Sequence, residues 1–441
     1  MVKMGKAIGV ICIAASLLSA CSSGSKEKVG NDTEKIALTH AAETEAAEIV
    51  FYSQNGATEK SFNELFGDSL RKKFPDYTFK FIERTGTGTY LADLMAAKTH
   101  FDIYFASVGH YEFDVFPFDF QYDMTELIKK HKVDLNRLDP SMISGVEASS
   151  HGIYALPVMT NAMVLYYNKT IFDRFGVPYP KDGMTWDEIN ELSRKMTRKE
   201  GDVQYIGYAP FPNYMIYMNP LSIPNIDKQT TLPTINQNEG WKKFFQSFFV
   251  TPAEIPGVRD YLLQAKDHIV NQFLYQKDVA MLPYVSGLIP AWTELLGSLD
   301  WDIVSLPTFK ETPGVGAQPY SVYYGITKMA RNKDAAMKVL NYMLSDEIQK
   351  GLARTGNIPV IKSEATRKEL GQETVFKNKN WGAVFYNQMA PVPYKGPYDV
   401  QIAAIYGSYG TQVMQGKLDV NTALRKAEED ALKKIQELQN Q

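Results

Sequence analysis

Three short polar runs carry the amides and hydroxyls that a shallow hydrogen-bonding wall requires: Ser53-Gln54-Asn55-Gly56, Arg84-Thr85-Gly86-Thr87-Gly88 and Ser107-Val108-Gly109-His110. Their amides and hydroxyls can exchange hydrogen bonds with a polar ligand, while aromatic rings elsewhere in the chain could stack on apolar faces. The chain is 12% aromatic and carries 26 Tyr, enough to line such a surface. Bond-breaking chemistry is harder to assemble. No G-x-S-x-G or H-E-x-x-H occurs, and the histidines at 40, 100, 110, 131, 151 and 268 lack ligand spacing, with His110 alone on a candidate cleft loop. A glycosidase needs two carboxylates roughly 5 to 10 Å apart. Asp187 and Glu188 are neighbours on a helix, do not face one another, and read more simply as a cap. Gly86-x-Gly88 has Leu91 where a dinucleotide fingerprint needs its third glycine, so a turn is the better account. No metal and no cofactor is expected, and a net charge of −3 gives no basic footprint for nucleic acid.

The elements that must position these runs alternate from Ile49 onward. Ile49 to Ser53 reads as a strand, and Phe62, Leu65, Phe66, Leu70 and Phe74 share one helix face. Tyr77 to Glu83 is a second strand, Tyr90 to Lys98 a second helix and Phe101 to Ser107 a third strand. This order implies parallel pairing with right-handed crossovers. Open sheets of that kind bind ligands beyond the carboxyl ends of their strands, where the three polar runs lie. Further on, Ile153 to Leu156 is an apolar run that stops at Pro157, and Val164 to Tyr167 is a strand followed by a short helix ending at Gly176. Thr185-Trp186-Asp187-Glu188 fits a capping box, with Trp186, Ile189, Leu192 and Met196 at helical spacing behind it. From Gly201 to Trp301 the chain is rich in Tyr, Phe, Pro and Asn. Burial is the expected role of most aromatics there, Phe211, Tyr214, Tyr217 and Trp241 included.

The stretch HGIYALPVMTNAMVLYYNKTIFDRFGVPYPKDGMTWDEINELSRKMT, His151 to Thr197, closely resembles the extracellular solute-binding proteins of family 1. These are the maltose-binding-protein-like, sugar-binding receptors of bacterial ABC importers. Gln272 to Trp292 resembles the family's helix and Ala-Met strand leading into a cleft loop, and Trp301 to Lys310 its second hinge segment. Ser345-Asp346-Glu347-Ile348-Gln349 with Gly356-Asn357-Ile358-Pro359, and the helix after Asp419, are similar to later passages of the family in the same order. The resemblance implies an α/β, periplasmic-binding-protein-like fold: two α/β lobes, a hinge and an interlobe ligand cleft. Residues 49–157 and 306–365 would form lobe 1, and 158–305 and 366–441 lobe 2. It implies ligand contacts from Gln54, Asn55, Thr87 and Ser107 in the first lobe, and from Thr160 and Asn161 after Pro157. Tyr214, Tyr284, Ser286 and Trp292 would come from the second lobe, with Tyr320, Tyr323 and Tyr386 later in the chain. Asn161 stands where the family commonly has a carboxylate, which argues for a neutral ligand. The implied function is capture of a mono- or oligosaccharide by lobe closure and delivery to ABC permease transmembrane subunits with their ATPase, by a monomer with no enzymatic activity. The alternatives are a surface sensor or co-receptor with the same fold, and a lipid-anchored glycosidase.

At the start of the chain, Lys3 and Lys6 precede an apolar run from Ala7 to Leu18. It falls short of the roughly 20 residues a bilayer span needs, but suits a signal peptide over residues 1–20. Leu18-Ser19-Ala20-Cys21 resembles a lipobox, which implies cleavage before Cys21 and a diacylglycerol on its sulfur. Cys12 would be lost with the signal, so no disulfide is expected. Residues 21–48 hold few large apolar side chains and read as a flexible tether from the outer face of the cell membrane.

Overall fold

The computed structural model describes residues 46–147, 152–265 and 268–440. The expected signal peptide, nearly all of the tether and Cys21 lie outside the described residues, as does His151. The first strand, β1 (Ala47–Tyr52), starts two residues before the expected Ile49. Strands β2 (Tyr77–Ile82) and β3 (Ile103–Ser107) flank it, both parallel to it. Two helices follow the polar loops, α1 (Leu91–Ala96) and α2 (His110–Val115). The next strand, β4 (Leu156–Thr160), corrects one expectation: it runs through Pro157 instead of ending there. Proline lacks the N–H a ladder requires, yet Pro157 pairs with Tyr323, next to the point where the register shifts between Val322 and Tyr323. A bulge already interrupts the ladder at that level, so the missing donor costs little.

Only Asn161 and Ala162 separate β4 from β5 (Met163–Asn168), which belongs to a second sheet with β6 (Arg198–Glu200), β7 (Val203–Tyr208), β8 (Val279–Val285) and β9 (Trp301–Ser305). Its order is β6-β7-β8-β5-β9. The chain then returns through β10 (Val322–Ile326), antiparallel to β3 and β4, and β11 (Ile358–Pro359) at the edge. The first sheet is thus mixed, in the order β11-β4-β10-β3-β1-β2. Each sheet with its covering helices is one α/β lobe, and the chain crosses between lobes at 160–163, at 305–322 and a third time after β11.

Local sequence explains most of these elements. In α3 (Trp186–Met196) the Thr185 hydroxyl accepts from Glu188 N at 3.3 Å while the Glu188 carboxylate accepts from Thr185 N at 2.7 Å, the reciprocal cap that its sequence specifies. Such a cap stabilises a helix start by about 1 kcal/mol. The helix over Lys169–Phe175 ends on Gly176 in the left-handed conformation, at φ +63°. Side chains of successive strand residues point to opposite faces. Ile49, Phe51, Ile103 and Phe105 therefore join one core cluster, and Val50, Tyr52, Tyr104 and Ala106 another beneath α1 and α2. Helix α4 (Pro212–Tyr217) begins on a proline, which suits the first helical position. The first lobe adds α5 (Lys333–Met343), capped by Asn332. Two long helices close the second lobe, α6 (Asp399–Met414) and α7 (Val420–Gln439). Trp241, Phe244, Phe245, Phe248 and Phe249 form its buried aromatic centre, as expected for that region. Phe211, Tyr214 and Tyr217 are not absorbed into it and stay half-buried.

Candidate ligand-binding site

In the first lobe the loop after β1 is set by hydrogen bonds before any ligand arrives. The Tyr52 hydroxyl donates to Gln54 Oε1 at 2.7 Å and Leu91 N to the same oxygen at 3.0 Å. With its oxygen committed, Gln54 offers its amide nitrogen, a donor. Asn55 Oδ1 accepts from Ala57 N at 3.0 Å and is exposed, holding the turn. Thr87 is exposed on the neighbouring turn, where Thr89 N donates to Gly86 O at 3.0 Å. Behind them the Tyr104 hydroxyl takes a hydrogen bond from the Gln54 backbone and donates to Asp114 Oδ2 at 2.6 Å.

Burial pushes the Asp114 carboxyl up to about 6, against the lowering effect of the Tyr104 hydrogen bond. The native state therefore binds the proton more tightly than the unfolded chain, and this group's stability contribution is lost as pH rises from the ordinary carboxylate range through 6. The loss between pH 4 and 6 is about 2 kcal/mol at this site. Asp114→Asn keeps a neutral acceptor for Tyr104, so its stability relative to the native protein is expected to rise by that amount over the window. Urea midpoints for both proteins at pH 4, 5 and 6 check it; a pH-independent difference sinks the assignment.

At the seam between lobes the first two crossings are tied to each other: Asn161 N donates to Tyr320 O at 3.1 Å, and Tyr320 N to Asn161 O at 2.9 Å. The Ser321 hydroxyl donates to Thr160 Oγ1 at 3.0 Å, and Ser286 Oγ accepts from Ala162 N at 3.2 Å and reaches Asn161 Oδ1 at 3.5 Å. Thr160 and Ser286 are almost fully buried and hold the crossing together. Ser107, at the end of β3, donates to the Tyr320 hydroxyl at 3.0 Å and lies 3.2 Å from His110 Nδ1.

Around Tyr320 stands a group of half-buried rings. Tyr214 lies 5.9 Å from it and 4.9 Å from Tyr284, in both cases edge to face. Tyr217 lies 6.5 Å from Tyr320 and 6.3 Å from His110, bringing second-lobe α4 against the first-lobe loop. Phe211 packs at 5.4 Å from Tyr214 and 5.8 Å from Tyr284. Burial raises the phenols of Tyr214, Tyr217 and Tyr284 and pushes Tyr320 up to about 12, so all four stay neutral donors at physiological pH. Burial also holds His110 below its ordinary value, opposed by Asp399, and leaves the ring mainly uncharged. The surface is thus aromatic and hydrogen-bonding, with little charge of its own.

A buried ion pair lies beside it. Lys395 Nζ lies 3.3 Å from Asp399 Oδ2, with the side chains 3% and 1% exposed. Asp399 Oδ1 accepts from Asn225 Nδ2 at 3.0 Å. Gly109 of the first lobe covers the pair closely: a Cβ there would stand 3.8 Å from Asp399 Oδ2. The Tyr217 hydroxyl donates to Val400 O at 3.2 Å and fixes α4 on the start of α6.

The structure gathers Ser107, Asn161, Tyr214, Tyr284 and Tyr320 at the seam, and places Gln54, Asn55 and Thr87 on the loops beyond β1 and β2. Other expected contacts sit elsewhere. Tyr323 is buried in the first-lobe core with its hydroxyl on Met142 O at 2.7 Å, because it faces inward from β10. Trp292 is half-buried against the hydrophobic cluster around Trp301. Tyr386 is 57% exposed with its ring against Gly183, at the far side of β9. Phe211 and Tyr217, expected in the core, belong to the ring cluster instead. Lys395 and Asp399 drew no notice as a sequence, although their i, i+4 spacing before a long helix was the available signal.

This architecture is that of known binding proteins. The chain aligns with a Rhizobium etli sugar transporter in an open conformation at a TM-score of 0.69 and 18% identity, covering 87% of this chain and 98% of that one. An ABC substrate-binding protein from Listeria monocytogenes in complex with cycloalternan aligns at a TM-score of 0.68 and 19% identity, covering 88% and 99%. These likenesses identify the periplasmic-binding-protein-like fold, two lobes with a hinge and a cleft. A curated binding protein of Brucella abortus is 25% identical over 244 residues, 52% of this chain and 54% of its own, so the chain spans about half the length of the curated relatives it matches. Among the described residues no helix is long and apolar enough to cross a membrane. Residues 54–350 match the model of the bacterial extracellular solute-binding proteins, and the chain belongs to that family.

Proposed function

We propose that this chain is the solute-capturing receptor of an ABC importer, with residues 49–157 and 306–365 as one lobe and 158–305 and 366–441 as the other. It takes a carbohydrate between the lobes, closes on it and presents it, unaltered, to membrane permease subunits with their ATPase. A diacylglycerol on Cys21 and the tether behind it hold the receptor, as a monomer, on the outer face of the membrane. The observation that carries this reading is the uncharged ring cluster of Tyr214, Tyr217, Tyr284 and Tyr320, half-buried at the crossing between lobes. Half-buried rings with protonated hydroxyls suit a ligand whose faces are C–H-rich and whose edges carry hydroxyls. Gln54, Thr87, Ser107 and Asn161 supply the remaining polar contacts. The likeness to a sugar transporter and to a cycloalternan-bound protein supports the same ligand class. Ser107 and His110 have nucleophile and base spacing, but the Ser107 proton is engaged by Tyr320, and no described carboxylate hydrogen-bonds the other His110 nitrogen to orient it.

A thermal-shift screen of the mature chain against mono- and oligosaccharides, with amino acids and peptides as controls, tests the proposal. A ligand at 100 times its Kd adds about 2.7 kcal/mol to the native state, a shift of several degrees. One saccharide class should raise Tm and be recovered intact. Shifts with amino acids or peptides alone sink the carbohydrate reading, and consumption of the sugar would replace a receptor with an enzyme.

A further inference from the structure

After β11 the chain builds a basic corner that the ligand site does not use. The one-turn helix Glu364–Arg367 and the short helix Trp381–Phe385 border an open pocket of about 470 Å³, which shares no lining residue with the ring cluster. Arg367, Lys368, Lys377 and Lys379 line it against a single carboxylate, Glu364. Neighbouring carboxylates are engaged elsewhere: Glu369 and Glu373 lie 2.9 and 3.7 Å from Arg354 Nε, and Asp182 and Asp302 accept hydrogen bonds from Asn380. The cations themselves are poorly partnered. The Arg367 guanidinium lies over the Phe385 ring at 4.9 Å and 3.6 Å from Glu364 Oε1, and its buried Nε has no hydrogen-bond partner among the described residues. The exposed side chains of Lys368 and Lys377 form no ion pair among the described residues, whereas Lys379 turns inward, donating to Trp301 O above the Trp301 ring. A fixed guanidinium fork with open donors, flanked by two unpaired lysines, matches the oxygens of a phosphate. Two residues before Lys377, Val375 is 78% exposed, more than any other large apolar side chain among the described residues. The chain as a whole has a net charge of −3, so this corner runs against its general sign.

We propose that this corner docks on an anionic phospholipid bilayer: Arg367, Lys368 and Lys377 take a headgroup phosphate in the pocket, and Val375 enters the apolar layer behind it. Charge complementarity and the valine together favour a bilayer over a soluble anion. A free anion satisfies the cations but leaves Val375 in water, whereas a leaflet is anionic at its surface and apolar beneath. The attraction acts over about a Debye length, roughly 8 to 10 Å at physiological salt, so the exposed lysines pull together without touching one another. A docked corner fixes which side of the two lobes looks at the membrane, which a tether alone does not. No residue of the seam takes part, so the inference stands or falls separately from the carbohydrate reading.

Flotation of the unlipidated mature chain with vesicles of phosphatidylcholine, alone or mixed with phosphatidylglycerol, tests the proposal. The protein should rise with the mixed vesicles at low salt, stay behind with phosphatidylcholine alone, and be released by high salt. Lys368→Gln combined with Lys377→Gln should weaken partitioning about thirtyfold, the effect of two cations at an anionic surface. Val375→Ser should weaken it about tenfold and leave its salt dependence unchanged. All three side chains are exposed, so the urea midpoints of these variants should match that of the native protein. Equal flotation with both kinds of vesicle, or with neither, overturns the proposal. Calorimetric binding of inorganic phosphate without flotation would assign the pocket to a soluble anion instead. A double variant that floats as the native protein does also overturns it, and if that variant impairs solute uptake in cells, the corner belongs to a protein partner.

Discussion

Lys395→Met is expected to destabilise the fold by about 3–5 kcal/mol, the effect of leaving a buried charge without its partner. The Lys395 and Asp399 side chains are 3% and 1% exposed, so water cannot replace the ammonium once it is gone. Asp399 would keep one neutral donor, Asn225, on Oδ1, while Oδ2 has no hydrogen-bond partner among the described residues and depends on the ion pair 3.3 Å away. Methionine nearly conserves the volume, so the loss is electrostatic and not that of a cavity. The double change Lys395→Met with Asp399→Leu removes both desolvated charges and is expected to recover most of the stability, because a buried pair seldom outperforms apolar packing of similar size. Urea denaturation measures this, as a fall in midpoint at constant slope. A single variant that loses less than about 1 kcal/mol would show the pair to be wetter than its geometry implies.

Tyr214→Ala is expected to weaken saccharide binding by about 3 kcal/mol, more than a hundredfold, as loss of a central aromatic anchor does. Tyr214 touches Tyr320, Tyr284 and Phe211, so its removal breaks the ring surface in the middle. Its hydroxyl is hydrogen-bonded to that of Tyr284. Tyr214→Phe keeps the stacking face and should cost less than about 1.5 kcal/mol, the usual net worth of one hydrogen bond. Tyr323→Phe is the control from the same chain. It removes a buried hydroxyl from Met142 O, so it should lower stability and leave affinity alone. Equal affinity for Tyr214→Ala and native protein in calorimetry would place the ligand elsewhere.

Much of the scaffold could be read from residues that act on near neighbours. Thr185 with Glu188, Asn332 with Ala335 and Asp419 with Thr422 form their caps within three residues. The alternation of strands and helices after Ile49 leads to the parallel set β1, β2 and β3, and places the polar runs at strand ends. Pro157 misled because its tolerance depends on a bulge in β10, some 165 residues further along the chain.

What the sequence determined by itself, then, is the local and the periodic: which segments are helix or strand, which face is apolar, where caps and turns fall, and the family to which those patterns belong. Each is set by groups within one or two turns of one another, whose energies do not depend on the rest of the fold. Tertiary structure alone decided which tyrosines meet. Tyr320 and Tyr323 are three residues apart and of one type, yet one lies on a crossing between lobes and the other points into a core. Tyr323 lies on β10, where residues 323–326 are buried on both faces, and Tyr320 lies before it, so no alternation of apolar and polar residues told them apart. Asn225 with Asp399, and Ser107 with Tyr320, join groups separated by 174 and 213 residues. Those contacts exist only because two sheets exchange the chain between them, and no local preference of either partner encodes the encounter.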